Sequence, residues 1–286
     1  MKREEVNERF CKDVAVEFIA MILFIWIGTG AAVSTGEFLA LSSAPDAATV
    51  SRILPIAFAF GMGILVLVYS FGHISGGHIN PAVTLCLTLV GECSPIRCAA
   101  YCVAQFTGAI FGSLLVWACT SNMSYGRETD EIDRVVGNPP FDLGANGLNK
   151  TLNDGNGFIL EFMGTLVLCI VVLSTVLHPE SLTQGKPALA PLAIGFAVFL
   201  AHVVLIPLTG CGINPARTFG PAVVNSFAGN SVWVSSYWIF FLGPFAASFA
   251  AAGMHMTILR PEDPTPIARA AVQQDASRVP TMMAKV

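Results

Sequence analysis

The chain has 286 residues, of which 54% are hydrophobic and only 12% charged, with a formal net charge of −4 and a mean hydropathy of +0.66. A soluble domain carries about a quarter charged residues, so this composition excludes an ordinary soluble fold. The absence of a basic patch excludes a nucleic-acid partner, and eight cysteines scattered mostly through apolar runs, without metal-type Cys-x-x-Cys pairing, imply neither a disulfide framework nor a metal centre.

In chain order, residues 1–13 form a charged start with no small-residue cleavage site after the apolar run that follows, which reads as a tail and not a signal peptide. A spanning helix needs roughly 20 mainly apolar residues. Six stretches qualify, near 14–35, 53–73, 96–120, 157–178, 188–208 and 232–259. Two further apolar pieces, 80–91 and 214–225, are too short to cross and begin at Asn80-Pro81-Ala82 and Asn214-Pro215-Ala216. An Asn followed by Pro is a helix start, because the Asn side chain caps and Pro occupies the first turn, where no N–H is missed. These pieces read as re-entrant half-helices, which are tolerated at membrane depth only where they line a wet path or are buried in protein.

The duplication extends beyond the tripeptide. Glu17 and Glu161 open the first and fourth spans in Val-Glu-Phe-Ile-Ala and Leu-Glu-Phe-Met-Gly. Three spans per half is odd, so the halves, about 14–120 and 157–259, are inverted relative to each other and place their site near the midplane. The twin acids read as supports for the backbone donors of the half-helix loops, with proton or ion sites as the other reading. The expected fold is thus an all-α membrane protein with six transmembrane helices and two half-helices in an inverted repeat, forming one channel domain over 14–259.

Ten of the 15 Lys and Arg fall on the side of the termini, four on the other side, and Arg217 lies inside the second half-helix. The positive-inside rule puts both termini in the cytoplasm. A long outer loop, 121–156, carries an acidic patch and two sequons, at Asn122 and Asn149, which only permit glycosylation. Residues 260–286 read as a mobile cytoplasmic tail.

The runs Ser75-Gly76-Gly77-His78-Ile79-Asn80-Pro81-Ala82 and Thr209-Gly210-Cys211-Gly212-Ile213-Asn214-Pro215-Ala216-Arg217 resemble those of the aquaporins, or major intrinsic proteins. Leu189–Val198 and Ile206–Gly210 look most like the plant-type plasma-membrane subfamily. The resemblance implies a water channel in a lipid bilayer, assembled as a homotetramer with one pore per subunit, without cofactor, metal or catalysed reaction. It places the narrow filter on Phe60, His202, Cys211 and Arg217, and the pore centre on the two Asn-Pro-Ala motifs. Phe and His leave little room for a carbon chain, while His and Arg offer donors to a water stripped of its neighbours. Cys211, where many plasma-membrane relatives have Thr, is a candidate for block by mercurials.

In the same subfamily a cytoplasmic loop caps the pore. The plug position matches Leu189 and a regulatory serine position matches Ser94, whose other reading is an N-cap for the third span. Lys186 stands where the acid-sensing histidine would be, and His178 is a further titratable group beside that loop. The rivals to a water channel are a channel of the same fold for hydrogen peroxide or other small neutral solutes, and a secondary transporter, which also uses inverted repeats. No nucleophile and base pattern supports an enzyme.

Overall fold

The computed structural model describes residues 4–40, 45–120, 140–177 and 189–259. Among these the chain is all helical: α1 (Glu8–Ala40), α2 (Pro45–Ser75), α3 (Pro81–Leu89), α4 (Pro95–Thr120), α5 (Asp154–Val176), α6 (Ala190–Thr209), α7 (Pro215–Phe227) and α8 (Ile239–Met254). Six of them, counting α8 with the short turns that flank it, are long and apolar enough to cross a membrane. They keep large apolar side chains on their outer faces, among them Phe58, Phe111, Leu200, Val204 and Phe249. In water such a surface would drive aggregation; in a bilayer it is the solvated face.

The two halves interlock. Within the first half α1 packs on α2 and α4, and within the second α5 packs on α6 and α8. The halves join where α2 crosses α6, and each half-helix leans on the third span of the opposite half, α3 on α8 and α7 on α4. Small residues permit these close crossings: a Cβ on Gly220 of α7 would stand 2.4 Å from the Ala109 carbonyl of α4, and Ser248 of α8 donates to the Ala82 carbonyl of α3 at 2.8 Å. This is the expected inverted-repeat arrangement of six spans and two half-helices, with α3 and α7 meeting end to end.

Boundaries differ from the sequence reading where polar residues continue or delay a helix. The first helix starts at Glu8, inside the segment read as a tail, because Asn7 caps it by accepting from the Phe10 amide at 3.0 Å. The last span begins with a 3-10 turn, Ser235–Trp238, and is α-helical only from Ile239. Arg52, just before the second span as read from the sequence, lies within α2 and donates to the Ala32 carbonyl at 3.0 Å. His178, Asn122, Lys186, the acidic patch and the 260–286 segment lie outside the described residues.

Candidate functional site

The site is built from the two loops that precede the half-helices, and each loop is shaped by one buried carboxylate. Glu17 Oε1 accepts from Ser75 Oγ (2.7 Å) and the His78 amide (2.9 Å), while Oε2 accepts from the Ile79 amide (2.7 Å) and Gln105 Nε2 (2.9 Å). Glu161 repeats the pattern, taking Thr209 Oγ1 (2.6 Å) and the Gly212 amide (2.9 Å) on Oε1 and the Ile213 amide (2.6 Å) on Oε2. Both acids are fully buried. Turning successive amides toward one carboxylate requires left-handed backbone, and it is found in register: Gly77 and Cys211 have φ of 62° and 57°, and Ile79 and Ile213 have φ of 51° and 44°. For a residue with a Cβ this costs roughly 1–2 kcal/mol. Charge-assisted bonds to a buried carboxylate offset it.

The strain at Ile79 and Ile213 has a purpose that their carbonyls reveal. Asn80 Nδ2 donates to Ile213 O at 2.9 Å, and Asn214 Nδ2 donates to Ile79 O at 2.8 Å. The same side chains cap their own helices. Asn80 Oδ1 accepts from the Ala82 amide, and Asn214 Oδ1 from the amides of Ala216 and Arg217. Each carboxamide thus commits its oxygen and one N–H to protein, leaving one N–H free. With α3 and α7 both starting at these asparagines, two helix ends of about half a positive charge each face one point.

A cavity of about 1010 Å³ leads to this point from the side of the N-terminus, where Glu4, Arg9, Asp13 and His73 line its mouth. It passes Asn80 and Asn214 and ends against His202 and Arg217. A second cavity, of about 200 Å³, opens on the opposite side between Arg52, Asp142 and Gly210, and Arg217 borders it too. Arg217, which borders both, sits in an aromatic and cationic cluster. Phe60 stacks on His202 with ring centroids 4.3 Å apart and planes 20° apart, and the Arg217 guanidinium carbon lies 4.8 Å from the Phe60 centroid. Arg217 is held there by the Gly144 carbonyl and Asn146 Oδ1, both 2.9 Å from Nη1.

His202 departs from the sequence reading in one respect. Its Nδ1 lies 2.8 Å from the Val198 carbonyl, which can only accept, so Nδ1 carries the proton. In the neutral ring Nε2, which is buried and has no hydrogen-bond partner among the described residues, is then an acceptor and not the donor expected. The fourth filter candidate, Cys211, is fully buried, and its amide donates to Thr209 Oγ1 at 3.2 Å. Leu189 is exposed at the start of α6, where Ala190 and Pro191 line the cavity. Ser94 accepts from the Arg97 amide at 3.1 Å, which caps α4.

Sequence reasoning missed Asn146, Gly144, Gln105, Ser75 and Thr209. Ser75 and Thr209 were discoverable, since each stands five residues before its Asn. Asn146 was not, because it comes from the outer loop, which has no counterpart in the other half.

Comparison with known proteins agrees with this geometry. The family model for the major intrinsic protein family matches residues 4–255. The chain is 40% identical over 252 residues to a probable aquaporin PIP2-5 of Arabidopsis thaliana, covering 88% of this chain and 82% of the relative. It is 37% identical over 262 residues to aquaporin-1 of Ovis aries, covering 91% and 87% respectively. The X-ray structure of the aquaglyceroporin from Plasmodium falciparum matches with a TM-score of 0.71 at 17% identity, over 88% of this chain and 98% of that one, a likeness of fold. With the paired half-helices, the reciprocal asparagine bonds and these relatives together, the chain belongs to the major intrinsic protein, or aquaporin, family.

Proposed function

We propose that the protein is a passive, water-selective channel that excludes protons, ions and glycerol, with Phe60, His202, Cys211 and Arg217 as its filter and the two Asn-Pro-Ala motifs as its pore centre. The observation that carries this reading is the cavity ending against His202 and Arg217, both in contact with the buried Phe60 ring, with two helix N-termini and two free asparagine N–H groups just below. A water at the pore centre receives both N–H groups on its oxygen, so its hydrogens point away along both arms. No donor is then turned back along the file, which interrupts proton relay, and the two positive helix ends oppose hydronium and metal cations. Above this point Arg217 opposes cations again. Placing that charge at membrane depth costs about 2.5–3.5 kcal/mol on insertion scales, which argues for a wet, functional position.

His202 and Arg217 serve a passing water from opposite chemical senses, the Nε2 lone pair accepting and the guanidinium donating. Phe60 behind them restricts width, so that a carbon chain is refused on size. In this reading Glu17 and Glu161 are structural supports and not coupling acids, since both oxygens of each are engaged by donors of the loop before a half-helix, with Gln105 of α4 added at Glu17. We further propose a homotetramer in the plasma membrane, as the resemblance of the sequence motifs implies, with both termini cytoplasmic from the distribution of cations. The test is stopped-flow light scattering on proteoliposomes: fast shrinkage under an impermeant osmolyte without re-swelling in glycerol for the wild type, and glycerol entry in His202→Gly. Glycerol entry in the wild type would sink the steric argument.

A further inference from the structure

We propose that Gly28 of α1 is a specificity-determining position, because its missing side chain makes the space that holds the Phe60 ring back from the passage and so sets the width of the constriction. A Cβ built on Gly28 would fall 2.2 Å from Phe60 Cε1, 2.5 Å from Cδ1 and 2.6 Å from Cζ. Carbon atoms rest at about 3.5–4.0 Å, so a single methyl there obliges the ring edge to retreat by more than about 1 Å. The ring has little freedom of direction. It is fully buried, its face lies against His202 with centroids 4.3 Å apart, and Phe24 of α1 meets it edge-on at 5.6 Å. Retreat from α1 therefore sends Phe60 toward His202 and Arg217, whose guanidinium carbon is 4.8 Å from the ring centroid. The residue that tunes the filter is thus one helix behind it and touches no permeating molecule.

The glycine is kept for the sake of the ring and not for α1 itself. Glycine inside a helix is disfavoured relative to alanine, so substitution would help α1 if the space were empty. Gly30, two residues on, supplies the comparison: a Cβ there would meet only Val116 Cγ2, at 3.9 Å. Other glycines are as tightly packed, but at Gly61, Gly108 and Gly220 the near atoms include backbone of the neighbouring helix, whereas the three nearest to a Cβ at Gly28 are all carbons of the Phe60 ring.

The proposal rests on the water-channel reading. The experiment measures osmotic shrinkage and hydrogen peroxide entry, the latter with an enclosed peroxide-sensitive dye, in liposomes holding equal amounts of wild type, Gly28→Ala, Gly30→Ala, Phe60→Leu and the Gly28→Ala/Phe60→Leu double variant. Gly28→Ala should lower water flow roughly tenfold, as expected for overpacking at a constriction, and peroxide entry by a larger factor. Gly30→Ala should match the wild type. In the Phe60→Leu background the Gly28→Ala change should alter flow by less than about twofold, since distant or unengaged sites combine additively and only the ring couples them. Wild-type flow in Gly28→Ala, or an equal drop in both backgrounds, overturns the proposal. A Gly28→Ala chain that assembles only when Phe60 is also Leu counts for it, and one that assembles in neither background counts against it. A wild type that conducts no water above empty liposomes would instead defeat the channel reading itself.

Discussion

Asn80 and Asn214 hold each other's loops, the first donating to the Ile213 carbonyl at 2.9 Å and the second to the Ile79 carbonyl at 2.8 Å. The pore centre is therefore a cross-brace: each half-helix is capped by its own Asn and positioned by the loop of the other. Asn80→Asp tests what the brace and the charge do separately from the cap. An aspartate keeps the acceptor for the Ala82 amide but sets an oxygen against the Ile213 carbonyl and puts a negative charge between two positive helix ends. Water flow should fall several-fold while a proton or sodium leak rises above that of the wild type, read with an enclosed pH dye and by sodium uptake. Undiminished cation exclusion would move the main barrier up to Arg217.

The architecture was legible because its causes are local: apolar runs set the spans, and an Asn-Pro pair cannot help but start a helix. The pairing of Glu17 and Glu161 with the half-helix loops was legible for a different reason, since a repeated acid in an apolar segment must be satisfied by repeated donors. What escaped the sequence was the geometry that only packing creates. Nothing in the spacing of His202 shows that Nδ1 is spent on the Val198 carbonyl and that Nε2 faces the passage as an acceptor. Gly28 reads as an indifferent helix residue until the Phe60 ring is seen against it.

Asn146 decides where Arg217 points, because its Oδ1 accepts both Arg217 Nη1 at 2.9 Å and Thr218 Oγ1 at 3.0 Å. Removing it leaves Arg217, among the described residues, with the Gly144 carbonyl as its hydrogen-bond acceptor and the Phe60 ring as its other contact. Asn146→Ala should destabilise the fold by about 1–3 kcal/mol, the cost of stranding buried donors, and should let urea or glycerol enter at a rate above wild type. Asn146→Asp, which keeps the acceptor, should keep the exclusion. Equal leakage in both variants would mean that Arg217 is held by Gly144 and by the walls of the constriction instead.

Glu4 ties the start of the chain to α4. Arg97 Nη2 donates to its carboxylate at 2.7 Å while Nη1 bonds Asp13 at 2.6 Å and Tyr101 at 2.9 Å, and the guanidinium also lies over the Phe10 ring. The bond from Arg97, with a smaller contribution from Ser94, holds the Glu4 carboxyl below its ordinary range. A carboxylate with a lowered folded value contributes fully above the ordinary range, about pH 4.3, and its contribution is lost as pH falls through the lowered value. The tether is partly exposed, so salt should weaken it as well. Protection of residues 4–13 against proteolysis, or against hydrogen exchange relative to the intrinsic rate at each pH, should fall in acid and in high salt, and Arg97→Gln should show the acid behaviour at neutral pH. A segment equally protected in that variant would be held by the apolar contact of Phe10.

Of the two sequons, Asn149 is the one whose geometry is described, and it argues against modification there. Its Nδ2 donates to the Pro207 carbonyl at 3.2 Å and its Oδ1 accepts from the Thr151 amide and hydroxyl at 3.0 and 2.8 Å. Its own amide bonds the Leu208 carbonyl at 2.9 Å, which presses the sequon onto the end of a membrane span. An oligosaccharide must be joined to that same nitrogen, so transfer would have to break the Pro207 bond and lift the loop from α6. Expression in a glycosylating host followed by enzymatic removal of N-glycans should give the same mobility shift for the wild type and Asn149→Gln, any glycan being lost only in Asn122→Gln. A shift abolished by Asn149→Gln would show that this loop is still open when the sugar is added and closes onto α6 afterwards.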